Sequence, residues 1–186
     1  MVNVMKLLIA SDIHGSFYWC DKLLRFFHRS GAEKLMLLGD LLYHGPRNPF
    51  PDEYDTVKVY EALNAVRDKL ICVRGNCDSE VDQMVLNFPM LADYSVTSYG
   101  KKTLFFTHGH LFNEDVLPPL KAGDVLFNGH FHTPKCVTLA GGVTYVNDGS
   151  VSLPKDGTPH SCVLLDGETL FFIDLATGEP FDEIKL

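Results

Sequence analysis

Asp12-Ile13-His14, Gly39-Asp40, Gly75-Asn76, Thr107-His108-Gly109-His110 and Gly129-His130-Phe131-His132 follow one another along the chain, each just after a short apolar run. They supply carboxylates at Asp12 and Asp40, imidazoles at His14, His108, His130 and His132, and an amide oxygen at Asn76. Such a set suits two neighbouring divalent cations, which need about seven protein groups and one carboxylate able to bridge. Aspartate, asparagine and histidine make a borderline-hard site, better matched to Mn²⁺, Fe²⁺, Zn²⁺ or Ni²⁺ than to Ca²⁺ or a thiolate-seeking ion. Two such ions roughly 3.5–4 Å apart can share a water, lower its pKa toward neutrality and direct the hydroxide at phosphorus. The reaction implied is hydrolysis of a phosphate ester. One motif alone is weak evidence, because a lone histidine is usually structural. Five in order at strand ends are not accounted for by turn caps and hydrogen-bonded loop histidines.

For these groups to meet, the runs before them must be strands that end on one edge. Val4 to Ala10, Lys34 to Leu38 and Leu70 to Val73 are such runs, separated by segments of helical spacing. In the first helix Phe17, Cys20, Leu23, Leu24 and Phe27 share a face, with Ser16 placed as its cap and Gly31 just past its end. The second, Thr56 to Asp68, repeats this with Val57, Tyr60, Leu63 and Val66. Between them Leu41 to Asp55 carries Pro46, Pro49 and Pro51 and reads as a loop. It leaves directly after Asp40, so His44 and Arg47 are either substrate contacts or idle, solvated side chains.

Beyond residue 90 strand signals take over, at Tyr94 to Tyr99, Thr103 to Thr107, Val125 to Asn128, Val137 to Leu139, Val143 to Val146, Ser161 to Leu165 and Leu170 to Ile173. Gly141-Gly142 and Asp166-Gly167 read as hairpin turns. One more helix is predicted over Glu114 to Lys121, despite Pro118-Pro119, to cover that edge. The expected fold class is α/β: two mixed sheets face to face with helices outside, an α-β-β-α sandwich whose ligand crevice lies at the carboxyl ends of the strands.

The chain of 186 residues is long enough for one well-buried core and short for two, so residues 1–186 are read as a single domain. The net charge of −8, with no Lys/Arg cluster, makes long nucleic acid a poor partner. Part of that negative charge sits at Asp12 and Asp40, where divalent metal would offset it, so a small anionic substrate can still be attracted. The apolar run Leu7 to Ala10 is too short for a signal peptide or a membrane span. Five scattered cysteines form no Cys-x-x-Cys. A cytoplasmic protein with reduced thiols and no membrane partner is expected; a homo-oligomer stays open.

Taken together the motifs resemble the calcineurin-like metallophosphoesterases, and within them the bacterial YfcE-type phosphodiesterases. The likeness also takes in Gly45-Pro46-Arg47-Asn48, Arg74-Gly75-Asn76-Cys77-Asp78-Ser79-Glu80 and Asn147-Asp148-Gly149-Ser150. The resemblance implies a metallo-dependent phosphatase-like fold and a phosphodiesterase with two divalent metal ions, manganese being the working expectation. By that resemblance Asp12, His14, Asp40 and His132 hold one ion, and Asp40, Asn76, His108 and His130 the other. Asp40 bridges, as a carboxylate with two oxygens can, and Asn76 also lies against the phosphate. His110 is left as a substrate contact or a partner of a ligand.

The chain departs from the wider pattern at Cys77, where many members carry a histidine that assists the leaving group. Without it, esters with acidic leaving groups should react best, and others would need His110, Asp78 or solvent as proton source; Cys77 itself is either catalytic or inert packing. Asp148 stands where related bacterial sequences usually have proline, with only local backbone consequences expected. Arg74 either grips a phosphate oxygen or pairs with a nearby carboxylate. His28 and His160 read as surface residues, and Trp19 as a partly buried ring. The alternative to an enzyme acting on a small phosphate ester is a protein-binding scaffold, as in the retromer subunit that resembles this family. The complete ligand set argues for the enzyme.

Overall fold

The computed structural model describes residues 5–186. Its elements run β1 (Leu7–Ala10), α1 (Phe17–Ser30), β2 (Lys34–Leu37), α2 (Thr56–Ala65), β3 (Leu70–Cys72), α3 (Glu80–Gln83), β4 (Tyr94–Tyr99), β5 (Lys102–Thr107), β6 (Val125–Asn128), β7 (Lys135–Thr138), β8 (Thr144–Asn147), β9 (Ser161–Asp166), β10 (Thr169–Asp174) and β11 (Glu179–Lys185). Val4, the first residue of the first expected strand, lies outside the described residues.

The strands form two mixed sheets, ordered β11-β10-β9-β1-β2-β3 and β4-β5-β6-β8-β7. Side chains alternate across a strand, and β1 uses both faces: Leu7 and Ile9 point to the second sheet, Leu8 and Ala10 to the helices. Between the sheets Leu7, Ile9, Met36 and Leu38 meet Leu104, Phe106, Val125, Phe127 and Val146. On the helical side α1 buries Trp19, Cys20, Leu23, Leu24, Phe26 and Phe27. Its ends follow the expected chemistry, since Ser16 accepts from the Trp19 N–H and Gly31 takes a left-handed φ of 73°.

Two expected helical segments differ. The second helix stops at Ala65, and Arg67–Lys69 tightens into a 3₁₀ turn leading into β3. Residues 114–121 are irregular rather than helical. Pro118 and Pro119 remove helical N–H donors there, and the Asn113 carboxamide instead accepts the Asp115 and Val116 N–H groups. The segment still covers the second sheet, with Phe112 and Leu120 packing on Phe105, Leu126, Val143 and Tyr145. The outermost layer on that side is therefore loop.

Both predicted hairpins form, with Gly141 and Gly142 at φ 98° and 82° and Gly167 at 60°. The strand expected over Val137 to Leu139 lies instead at Lys135–Thr138. An unexpected edge strand, β11, pairs with β10. Its sequence Glu-Pro-Phe-Asp-Glu-Ile-Lys buries little, so it lacks the apolar alternation that marks a strand.

Candidate metal centre

Two parallel sets, β1-β2-β3 and β5-β6-β8, bring their carboxyl ends to one edge, and every motif from the sequence lies there. The backbone turns sharply at this edge. Asp12, His14, Asp40, His130 and His132 have φ of 58°, 48°, 55°, 67° and 62°, five of the seven non-glycine residues with positive φ among the described residues. Each such residue costs on the order of 1–3 kcal/mol, so the surroundings must hold it. Asp12 N–H donates to Gly39 O at 3.0 Å and His14 N–H to Asp40 O at 2.9 Å, while the Ser150 and Ser152 hydroxyls both donate to Asp12 O. Close approach adds to this: a Cβ on Gly75 would overlap the Asp40 carboxylate.

The side chains then converge. Asp12 Oδ1 lies 3.2 Å from His132 Nε2 and 3.5 Å from His14 Nε2, which is itself 3.4 Å from His132 Nε2. Asp40 Oδ2 lies 3.7 Å from His14 Nε2 and 3.4 Å from His108 Nε2. Around His108 Nε2, Asn76 Oδ1 sits at 3.0 Å and His130 Nδ1 at 3.2 Å. Atoms bound at about 2.0–2.2 Å to one ion lie roughly 3–3.5 Å from one another, so the spacing fits two coordination shells that share Asp40. Asp40 Oδ2 is the oxygen that faces both groups, while Asp40 Oδ1 accepts the Cys77 N–H at 2.8 Å.

What each imidazole presents is decided behind it. The Nδ1 atoms of His14, His108 and His132 face the carbonyls of Tyr43, Leu38 and Leu153 at 2.7, 2.8 and 2.6 Å. A carbonyl only accepts, so each Nδ1 carries hydrogen, and in the neutral imidazole each Nε2 then turns its lone pair inward. Those lone pairs confront Asp12 Oδ1, which is buried without a hydrogen-bond donor, and Asp40 Oδ2. Lone pairs facing lone pairs repel unless a positive charge stands between them, and a divalent cation fits that requirement.

In the metal-free chain protons take up part of the role. Burial alone would raise Asp12, yet His132 and His14 hold its carboxyl well below the usual range. Asp40 is likewise lowered against burial, chiefly by His108. Burial opposes charge on His14 and His108, but the facing carboxylates raise both, His108 to about 9. Burial and the neighbouring His108 push His130 down to about 4.

A cleft of about 590 Å³ opens over these groups, lined by His14, Asp40, Asn76, Cys77, His130 and His132. Of the proposed substrate contacts, Arg47 lines it. Arg74 instead pairs with Asp93 at 2.7 Å, and His44 stacks on Phe50. His110 is half-buried with its ring centre 5.4 Å from that of His108, and it does not line the cleft. Asp78 spends both oxygens on backbone, accepting from Asp40 and Gly75 N–H with Oδ2 and from Leu41 N–H with Oδ1. It clamps the turn that carries Asp40. Lys155, Phe131 and Tyr43 also line the cleft and escaped the sequence reading. Lys155 sits there because its N–H bonds to His132 O.

Three further residues differ from expectation. Asp148 has more than local backbone effects, since its side chain is buried 2.8 Å from Ser11 Oγ. His160 is no idle surface residue, because its ring stacks on Trp19 at 3.5 Å. Trp19 is buried rather than partly so.

Residues 5–170 match the family model described as the calcineurin-like phosphoesterase superfamily domain. The chain belongs to that superfamily. It is 50% identical over 172 residues to Phosphodiesterase YfcE of Escherichia coli K12, covering 92% of this chain and 93% of that one. The solved structure of the E. coli phosphoesterase Yfce superposes with a TM-score of 0.93 at 48% identity, over 97% of this chain and 99% of that chain. Vps29 of Chaetomium thermophilum, at 18% identity, a TM-score of 0.62 and 98% and 97% coverage, shares the fold alone. Superfamily membership implies divalent metal ions, in keeping with the donor clusters above. Among the described residues no helix is long and apolar enough to cross a membrane.

Proposed function

We propose that the chain is a dinuclear-metal-dependent phosphodiesterase acting on small phosphate diesters, with its 186 residues forming one domain. The observation that carries this reading is Asp40 Oδ2, a single oxygen 3.7 Å from His14 Nε2 and 3.4 Å from His108 Nε2. It joins two donor groups beneath an open cleft. Asp12, His14, Asp40 and His132 would hold one cation, and Asp40, Asn76, His108 and His130 the other. When bound, two divalent cations supply Lewis acidity, offsetting phosphate charge and acidifying water for attack.

The chain's own side chains supply the rest. Arg47 and Lys155, both lining the cleft, offer positive charge to phosphate oxygens. Asn76 is exposed, and its amide N–H group can donate to the same oxygens. Burial and then Asp40 push the Cys77 thiol far above its ordinary range, so it keeps its proton and is a poor acid for a departing alkoxide. Burial and His108 lower His110, which leaves it neutral at pH 7. Substrates whose leaving groups are stable anions fit this arrangement. Manganese suits the nitrogen and oxygen donors, and five free cysteines fit a cytoplasmic setting.

Chelator-stripped protein should be inactive, and added Mn²⁺ should restore hydrolysis of bis-p-nitrophenyl phosphate. Failure of every divalent ion to support turnover would favour the scaffold alternative and overturn the enzyme reading.

A further inference from the structure

Behind Asp12 lies a buried line of oxygens that contributes no donor to the centre. Ser11 Oγ is 2.5 Å from Asp12 Oδ2 and 2.8 Å from Asp148 Oδ1. Ser11 and Asp148 are 0% and 1% exposed. Asp148 Oδ2 is buried without a hydrogen-bond partner, and no cationic side chain among the described residues pairs with Asp148. A hydroxyl has one hydrogen to give. If both aspartates were ionised, one of the two short oxygen–oxygen contacts would have no hydrogen in it, and an unpaired carboxylate would be buried, which is costly.

We propose that Asp148 is a positioning residue held as a neutral carboxylic acid. Its O–H donates to Ser11 Oγ, so that the Ser11 hydroxyl donates to Asp12 Oδ2. Asp12 Oδ2 then receives two donors, the Ser11 hydroxyl and the His130 N–H at 2.9 Å, which leaves Oδ1 as the oxygen turned toward His14 and His132. Burial, and after it the charge of Asp12, favours the neutral acid at Asp148. The backbone at 148 is pinned independently, its N–H on Asn128 O and its carbonyl accepting the Ser161 hydroxyl, so the side chain can be changed with the main chain in place.

The proposal rests on the metal-centre reading, but half of its test does not. In metal-free full-length protein, infrared difference spectra between parent and Asp148→Asn should show the carbonyl stretch of one buried carboxylic acid, present only in the parent. No such band would overturn the proposal, whether or not the protein binds metal. Mn²⁺ binding without substrate, followed by the paramagnetic resonance of free Mn²⁺, gives the other half. An asparagine amide can donate to Ser11 Oγ as the acid does, so Asp148→Asn should keep the tighter Mn²⁺ affinity within about threefold. Asp148→Ala and Ser11→Ala should weaken it about 10-fold or more, the usual scale for a ligand's supporting partner. A loss in Asp148→Asn as large as in Asp148→Ala would show that a negative charge is needed and would overturn the neutral acid. Unchanged affinity in Ser11→Ala would overturn the positioning role, and that variant decides the point if Asp148→Ala does not fold. A parent that binds no Mn²⁺ at all would count against the proposed function, leaving the infrared result to judge Asp148.

Discussion

The two halves of the donor cluster are built differently. On one side Asp12, His14 and His132 are 0%, 1% and 4% exposed, and each has a second atom tied to a carbonyl, a hydroxyl or a backbone N–H. On the other, His108 is anchored in the same way through Leu38 O, but Asn76 is exposed and, among the described residues, no carbonyl backs the His130 ring. Held ligands favour a retained cation, whereas loosely held, accessible ones favour exchange and contact with substrate. On the proposed assignment, the more firmly held donors lie on one side of Asp40 and the more accessible ones on the other.

The largest effect should come from the residue that belongs to both sides. Asp40→Asn removes a charge from two ligand shells at once, and the rate with saturating Mn²⁺ should fall on the order of 10³-fold, about 4 kcal/mol at 1.36 kcal/mol per decade. Unchanged turnover would show that the shared oxygen is misassigned.

A comparison of single ligands sharpens the asymmetry. In calorimetric titrations of stripped protein, His132→Ala should cost the tighter site on the order of 100-fold in affinity, about 2.7 kcal/mol. His130→Ala should leave that site nearly intact while weakening the second. Equal losses in both variants would erase the distinction between the halves.

Proton competition gives a smaller, graded effect. His108 stays charged in the metal-free chain up to about pH 9, and a cation must displace that proton. Affinity at its site should therefore rise with pH between about 7 and 9, by up to about tenfold per unit from this proton. The same titrations should release protons into weakly buffered solution at pH 7, and fewer in His108→Ala. A flat profile would mean that His108 is not a ligand.

The smallest effect concerns the leaving group, at Cys77, which lines the cleft beside His14 and Asp40. Cys77→His should accelerate diesters with poor leaving groups by about 10-fold or more, against a general-acid scale of about 10²–10⁴, with little change for nitrophenyl esters. A substrate profile identical to the parent would place no proton transfer at this position.

The donors were legible in the sequence because strand ends place them, and strands announce themselves by short apolar runs such as Leu35 to Leu38. What holds the donors was not. The carbonyls of Tyr43, Leu38 and Leu153 are main-chain atoms, indistinguishable in sequence from any other: Tyr43 O meets His14 only once β1 and β2 pair, and Leu38 O meets His108 only once the two sheets are packed. Lys155 was equally hidden, since its place in the cleft depends on a bond to the distant His132 carbonyl. The irregular 114–121 segment shows the opposite error: an apolar face had to be covered, and a loop with Pro118-Pro119 does so without being a helix. The strand β11 hides behind Glu179, Asp182, Glu183 and Lys185, the charges that keep an edge from pairing further.

The most direct test is paramagnetic resonance of the protein loaded with two equivalents of Mn²⁺. Two ions meeting at Asp40 Oδ2 should give the spectrum of an exchange-coupled pair, replaced in Asp40→Asn by that of separate ions. Spectra of isolated Mn²⁺ in the fully active parent would contradict a shared oxygen and, with it, a dinuclear centre.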